Sequence, residues 1–561
     1  MTGQFKKIIL VDGFFTNFSV VAFILSMSIF ISACGDSSNS TGITDAEILE
    51  STTKYNPDNI ISSRMYNPEA LIPPMCYTRT HGKYNPCYTC HQSNNNRSDN
   101  SNFMDDAKLQ GEYTFSPVAE HNHWLNLFKD RNSEILNISD IDIKTYVNQD
   151  NYSGLAARLD TQGFDGYIPR LENFEQGAAA FDSEGFALDN SHWVAFNYKP
   201  LPSTFWPTNG STDDVLIRLP ARFRQDNSGN YSRDVYLANL SILEATIKDL
   251  ASIQTPAINE TTIGTDLNGN ASFETVTQIN RPDNYVGQAS DTQVINYLYP
   301  EGTEFLHSVR YLGVNETTGD IYIPPRMKEL RYMKKFRFYE KVFVADAYAE
   351  EHLAKEQGDL PDYAWHGDKG MANDFGWLVQ GFIEDANGEL RPQNYEEHAF
   401  CMGCHSTIGA TIDQTFSFAR KITGTNGWGY INLKGMQDTP AKGETEGEFL
   451  QYLKRVGGGD EFRQNQEMLQ RWFVNANPDQ VDEAKVNAVA DVYELITPSS
   501  RRALDLNKSY KLIVEEQSFF LGRDAILSPS NNVYDNVDPT LVPVLPVENQ
   551  VAREIFLDWS F

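Results

Sequence analysis

Apolar and polar positions alternate along several short runs in the middle of the chain, as they do on half-buried β-strands. Four such runs occupy residues 213–220, 234–240, 307–312 and 321–323. The turn-forming sequence Asn-Ser-Gly-Asn at residues 227–230 separates the first two runs. The pattern predicts a β-rich middle domain over residues 151–356.

Apolar residues at helical spacing predict helices before, within and after this middle domain. The predicted helices occupy residues 130–160, 325–356, 448–456, 462–473 and 480–495. The third of them ends at three consecutive glycines, 457–459, a common stop signal for a helix. Residues 501–561 contain Pro539, Pro543 and Pro546 and are predicted to pack as an extended tail.

The N-terminus has the pattern of an export signal. Lys6 and Lys7 form a basic start, and an apolar stretch follows at residues 14–31. Residues 1–33 are therefore predicted to be a signal peptide. Residues 34–60 are rich in Ser, Thr, Asn and Asp and are expected to form a flexible tether.

The apolar stretch closes on Ile-Ser-Ala-Cys, an ending that resembles the lipobox of bacterial lipoproteins. The resemblance implies cleavage before Cys34 and a diacylglycerol attached to its sulfur. An uncleaved membrane anchor is the alternative. In Gram-negative lipoproteins an Asp after the lipidated Cys favours retention at the inner membrane, and here Gly35 holds that place. The expected location is therefore the outer membrane, on its periplasmic or extracellular face.

The length and net charge of the chain limit the number of domains and the kinds of partner that can be expected. A chain of 561 residues is too long for one ordinary core, so two to four domains are expected. The 46 basic and 76 acidic residues give a net charge of −30, which argues against a nucleic-acid partner because phosphate contacts need clusters of Lys and Arg. The acidic balance suits a well-solvated, exported protein.

Four of the six cysteines belong to one pentapeptide pattern that occurs twice, 314 residues apart (401 − 87). The two copies are Cys87-Tyr-Thr-Cys90-His91 and Cys401-Met-Gly-Cys404-His405. Two thiols one helical turn apart can both reach the vinyl groups of one porphyrin, and the next residue can place its imidazole beneath the iron. The pattern predicts two covalently bound haem c groups, with His91 and His405 as iron ligands.

The Cys-x-x-Cys spacing has two other interpretations. A structural zinc site would combine the two pairs as four thiolate ligands, and the histidine after each pair would then be a coincidence. A thioredoxin-like redox pair needs a helix after the motif, whereas residues 92–98 have the composition of a loop. Both alternatives fit the sequence less well.

At these motifs the chain resembles the bacterial di-haem c-type cytochromes. The resemblance implies a first haem region over residues 61–150 and a second, cytochrome c-like one over 357–500. The expected fold class is mixed α+β, with helical and loop-rich haem regions flanking the β-rich middle. Di-haem peroxidases also carry two such motifs, but usually closer together than here.

The second axial ligand of each iron decides between a carrier and a catalyst. For the second haem the first candidate is Met436, which lies 31 residues after His405 (436 − 405). For the first haem the weaker candidates are His81, Met104, His121 and His123. Met75 and Cys76 also lie close enough to the first motif to approach an iron. Cys76 is otherwise expected to be a free thiol.

The sequence therefore predicts electron transfer by a membrane-anchored di-haem cytochrome. Its expected partners are redox proteins or a small-molecule electron acceptor, together with the membrane that holds the lipid anchor. The alternative is a di-haem oxidoreductase, peroxidase- or oxidase-like, with one open iron position. A binding module with purely structural haems is a third possibility.

Overall fold

The fold is that of a computed structural model. It describes residues 65–79, 84–92, 107–110, 113, 115–203, 207–357, 359, 361, 363–457, 466–538, 540–542, 545, 550–551 and 553–560. The predicted signal peptide and tether, with Cys34, and the candidates His81 and Met104 lie outside these residues. The segment Leu49–Phe561 clusters as one compact unit.

An eight-stranded antiparallel sheet forms the centre of the fold, in the order β1-β2-β5-β8-β11-β10-β9, with β12 paired to β11. Its strands are β1 Val194–Ala195, β2 Thr212–Arg218, β5 Glu304–Arg310, β8 Met327–Lys335, β9 Ala364–Trp365, β10 Met371–Ala372, β11 Trp377–Glu384 and β12 Leu390–Pro392. Two small hairpins lie outside it: β3 Ser252–Asn259 with β4 Thr275–Asn280, and β6 Gly313–Val314 with β7 Ile321–Tyr322.

Twelve α-helices are described around the sheet. They are α1 Asn132–Asn137, α2 Asp140–Val147, α3 Leu155–Gln162, α4 Arg233–Ile247, α5 Glu260–Ile263, α6 Lys341–Glu356, α7 Tyr395–Met402, α8 Glu448–Val456, α9 Gln466–Trp472, α10 Glu483–Asn487, α11 Val492–Ile496 and α12 Ser500–Glu516. The mixed helix-and-sheet class predicted from the sequence is confirmed. None of the described helices combines the length and apolar character needed to cross a membrane.

Several predicted elements are confirmed. Helices α1 to α3 fill residues 130–160, and α8 ends where Gly457 adopts the left-handed conformation at φ 60°. The runs 213–220 and 307–312 are largely covered by β2 and β5. The long pattern at 480–495 is broken into the short helices α10 and α11.

Three predicted elements are wrong, wholly or in part. Residues 234–240 were expected as a strand but belong to α4, which the Ser232 hydroxyl caps by accepting the N–H of Val235. The helix predicted over residues 325–356 is wrong in its first part, where 327–335 form strand β8, and confirmed in its second part, where Lys341–Glu356 form α6. The expected extended tail begins with α12, a helix of 17 residues.

The sheet joins residues on both sides of the domain boundary predicted between residues 356 and 357, because β8 pairs with β11 along most of its length. Both β5 and β8 have strands on either side, and most of their residues are buried on both faces of the sheet. Side chains alternate between the two faces. Leu306 and Leu330 on one face pack with helix α3. Phe305 and Met333 on the other face lie in one cluster with Cys401 of the second motif, and that face positions the candidate site.

Candidate functional site

Both cysteine motifs adopt the same backbone turn. The carbonyl of Cys87 accepts the N–H groups of Cys90 and His91, at 3.2 and 2.8 Å. The carbonyl of Cys401 accepts those of Cys404 and His405, at 3.1 and 3.0 Å. The first turn lies in a loop, and the second closes α7, which begins with a capping box between Asn394 and Glu397. Each motif therefore presents two thiols and an imidazole from one turn.

The second motif opens onto a large cavity against the sheet, here called the sheet cavity. Its empty volume, including the opening to solvent, is about 1750 Å³. Cys401, Cys404 and His405 line it from one segment. The sheet contributes alternate residues of three adjacent strands: Asp213 and Val215; Phe305, His307 and Val309; Glu329, Arg331 and Met333.

The first motif opens onto a second cavity, here called the loop cavity, of about 1180 Å³ including its opening. Cys87, Cys90 and His91 line it together with the segment 71–76. The Gln110 amide donates to the carbonyl of His91 at 2.7 Å and so fixes this part of the motif.

The two cavities adjoin. Four residues line both of them, namely Pro73, Met75, Cys90 and Cys404. Gly403, inside the second motif, lies so close to the segment 71–76 that a Cβ added to it would overlap the carbonyl oxygen of Leu71. The N–H of Ala410 donates to the carbonyl of Cys90 at 3.0 Å. Two motifs far apart in sequence thus share one wall.

His405 is held in one orientation. Its Nδ1 lies 2.8 Å from the carbonyl oxygen of Gln414, to which it donates, so Nε2 keeps its lone pair for a metal. Burial lowers the pKa of His405 to about 4, which favours the neutral, ligating form. Asp413 and Gln414 both have positive φ, 45° and 56°. This backbone conformation is uncommon for residues other than glycine.

Asp413 anchors that loop to the sheet. Its carboxylate accepts from Lys335 Nζ at 2.6 Å, from the Trp377 indole at 3.2 Å and from the N–H of Tyr299 at 3.0 Å. Both charged side chains of the ion pair are buried. Such a paired buried charge fixes the carbonyl of Gln414, and through it the imidazole of His405.

Charged side chains of the sheet enter the sheet cavity. Glu329 accepts from both Arg331 and Arg523, each at 2.9 Å. The two arginines hold the pKa of Glu329 at about 2 against the opposing effect of burial. Burial alone would lower the pKa of Arg331, but Glu329 raises it above its usual value. This group of two arginines and one carboxylate carries one net positive charge.

Both motifs hold their cysteine thiols in buried surroundings. Burial raises the pKa of Cys87 to about 12 and that of Cys404 to about 11. Reactive and metal-binding cysteines have lowered pKa values instead. Among the residues that the structure describes, no cluster of three or more His, Cys, Asp or Glu side chains is arranged to hold a metal ion.

Several of the axial ligands predicted from the sequence lie away from the two cavities. Met436 is buried in a hydrophobic cluster with Tyr88 and Phe449 and lines neither cavity. His121 lies beside Asn536, and His123 beside the carbonyl of Val118. Neither histidine lines the sheet cavity or the loop cavity.

Met75 and Cys76 do reach the site. Met75 lines both cavities, and Cys76 lines the loop cavity. Burial, followed by the nearby thiols of Cys87 and Cys404, raises the pKa of Cys76. Cys76 is a free thiol, as expected.

His307 was not singled out from the sequence, although it lies in a predicted strand. It is on β5, directly across from Arg331 on β8, and it lines the sheet cavity. Its Nε2 lies 3.3 Å from the Asp213 carboxylate on β2. The signal available in the sequence was alternation: His307 and Val309 share a face with Phe305, as Asp213 does with Val215.

Comparisons with known proteins agree on one class. A family model described as “-like lipoprotein” matches residues 60–490. An uncharacterized lipoprotein of Aquifex aeolicus (strain VF5) is 34% identical over 543 residues, covering 86% of this chain and 91% of the relative. No solved structure matches the chain significantly.

Proposed function

This chain belongs to the lipoprotein family whose model it matches, and from that premise we propose that it is a membrane-anchored di-haem c-type cytochrome that carries electrons. The observation that carries the proposal is the shared wall of the two cavities. Each cavity has its own Cys-x-x-Cys-His turn, and Cys90 and Cys404 line both.

The residues of each motif fit a covalently bound haem. The thiols of Cys401 and Cys404 stand one turn apart at the edge of the sheet cavity. His405 offers a neutral Nε2. Cations at the cavity wall, Arg331 and Arg523 among them, suit the carboxylates of a porphyrin.

The first motif has the same turn and a cavity of its own, so Cys87, Cys90 and His91 would hold the second haem. Bound haem supplies one-electron chemistry. The contribution of the chain is to fix the two sites side by side. Gly403 against Leu71 and the hydrogen bond from Ala410 to Cys90 hold the motifs together.

A lipobox-like Cys34 would attach the protein to a membrane, and Gly35 after it favours the outer membrane. The partners would then be redox proteins or a small electron acceptor at the periplasmic or outer face. With a net charge of −30, a protein partner with a basic docking surface is favoured.

One observation favours the rival function, a di-haem oxidoreductase. A third cavity of about 680 Å³ shares Pro200 and Asp213 with the sheet cavity. Such a neighbouring cavity would give a small molecule a route towards the second motif. An open iron position there would make the protein an enzyme of the peroxidase or oxidase class.

The spectrum of the oxidised, full-length protein separates the two functions. A carrier gives two low-spin haem signals that peroxide and cyanide leave unchanged. An enzyme gives one high-spin signal that shifts when either ligand is added. A redox titration that shows two reversible one-electron steps, followed by rapid oxidation with a soluble acceptor, would support the carrier.

A further inference from the structure

The sheet wall of the sheet cavity carries a side chain suited to bind iron. Apart from His405, His307 is the one histidine among the described residues that line this cavity. We infer that His307 is the second axial ligand of the iron that His405 holds. The inference rests on the proposed function, because it requires haem at the second motif.

The position of His307 is rigid. It lies in the middle of β5, with Val215 of β2 opposite on one side and Arg331 of β8 opposite on the other. Antiparallel hydrogen bonding on both sides fixes the strand, and the alternation of side chains aims His307 at the same face as Phe305 and Val309. A ligand on such a strand is held more precisely than one on a loop.

A carboxylate supports the imidazole. Asp213 Oδ2 lies 3.3 Å from His307 Nε2, and the Tyr198 hydroxyl donates to the same oxygen. All three residues line the sheet cavity. A carboxylate this close to one ring nitrogen favours a proton on that nitrogen, which leaves the lone pair of the other nitrogen, Nδ1, for a metal.

Two methionines compete for the same role. Met333 lies on the same face of the sheet but in the hydrophobic core, and Met75 lies in the wall between the cavities. Neither has a polar partner comparable to Asp213. The sequence-based candidate Met436 does not line the cavity. His307 is thus the ligand favoured by position and by its surroundings.

Electron paramagnetic resonance of the full chain carrying both haems tests the inference. His307→Ala should keep two covalent haems, as counted after denaturation, while one low-spin signal becomes high-spin. Added imidazole should restore the low-spin signal. His307→Met should stay low-spin and gain the near-infrared band of a Met–iron bond, with a raised midpoint potential because Met ligation favours the reduced state. Met333→Leu is the matched control and should match the wild type.

The outcomes are distinct. If His307→Ala retains both low-spin signals, or if Met333→Leu or Met75→Leu loses one instead, His307 is not the ligand. If the wild type already has a high-spin haem at the second motif, the inference fails while haem attachment stands. A chain without covalent haem overturns the proposed function itself. If His307→Ala does not fold, the wild-type near-infrared spectrum decides, because a Met–iron band at the second motif contradicts histidine ligation.

Discussion

The carbonyl oxygen of Cys90 accepts a hydrogen bond from the N–H of Ala410, 320 residues away (410 − 90), over 3.0 Å. This bond ties the first motif to the loop that follows the second. The side chains of Cys90 and Cys404 line the same two cavities. The closeness of the two motifs is therefore built into the backbone and does not depend on a cofactor to bridge them.

Gly403→Ala should separate the motifs. The added methyl group would overlap the Leu71 carbonyl, and the backbone there cannot move aside easily. We therefore expect the free energy of unfolding to fall by about 1–3 kcal/mol. Thermal unfolding measures the change. Gly154→Ala is the control, because its methyl group would meet only the flexible end of Arg158. Equal melting temperatures for wild type and Gly403→Ala would contradict the close packing.

Asp413→Asn should destabilise the loop that orients His405. It leaves Lys335 buried without an opposing charge, and breaking a buried ion pair in this way costs about 3–5 kcal/mol. Chemical denaturation gives the loss. The exposed pair of Arg170 and Asp160 provides the control, and Asp160→Asn should change stability little. Similar losses in both variants would show that burial of the Asp413 pair is unimportant.

Stability should fall as pH rises from about 4.5 to about 7, through Glu396. Burial raises the pKa of this carboxyl from 4.5 to about 7; the N–H groups of Asn67 and Tyr66 act against this shift, and Glu397 adds to it. The folded state therefore holds its proton at a pH where the unfolded state has lost it. The free energy of unfolding drops by about 3 kcal/mol at most across this window and is level above it.

Glu396→Gln removes that contribution, so its melting temperature should change less than that of the wild type between pH 5 and pH 8. The exposed Glu172→Gln serves as the control and should follow the wild-type profile. A wild type whose difference in stability between the two pH values equals that of Glu396→Gln would mean that Glu396 does not titrate in this window.

Arg331→Met should lower the midpoint potential of one haem. Glu329 then keeps Arg523 as its partner, and the cavity wall loses one positive charge that favours the reduced state. A buried unit charge of this kind is worth on the order of 1 kcal/mol, or roughly 40 mV. Redox titration with optical detection gives the value. Arg170→Met is the control: it changes an exposed side chain and should leave both midpoint potentials unchanged.

The sequence was informative where one feature decided the outcome. The repeated pentapeptide named the residues that line both cavities, and Gly457 marked the end of α8. Prediction from the sequence failed where burial on all sides removed the alternation of polar and apolar residues. Helix α4 is buried almost all round, so its residues show no polar stripe to reveal a helical period.

The composition of strand β8 favours a helix. Its sequence, Met-Lys-Glu-Leu-Arg-Tyr-Met-Lys-Lys, consists mainly of good helix formers. In the fold, Glu329 and Arg331 point into the sheet cavity as an ion pair, which propensity cannot anticipate. His307 was missed because a sequence does not show which strands are neighbours, and so does not place Asp213 of β2 beside it.

Counting the haem that stays attached to the denatured chain tests the proposal most directly. The full-length protein, made in a host that matures c-type cytochromes, should keep two haems through extraction with acidified solvent, as shown by its intact mass and its pyridine haemochrome. Replacing Cys401 and Cys404 by Ser should leave one haem, and replacing Cys87 and Cys90 as well should leave none. Release of all pigment from the wild-type chain, or none bound at all, would contradict a di-haem cytochrome.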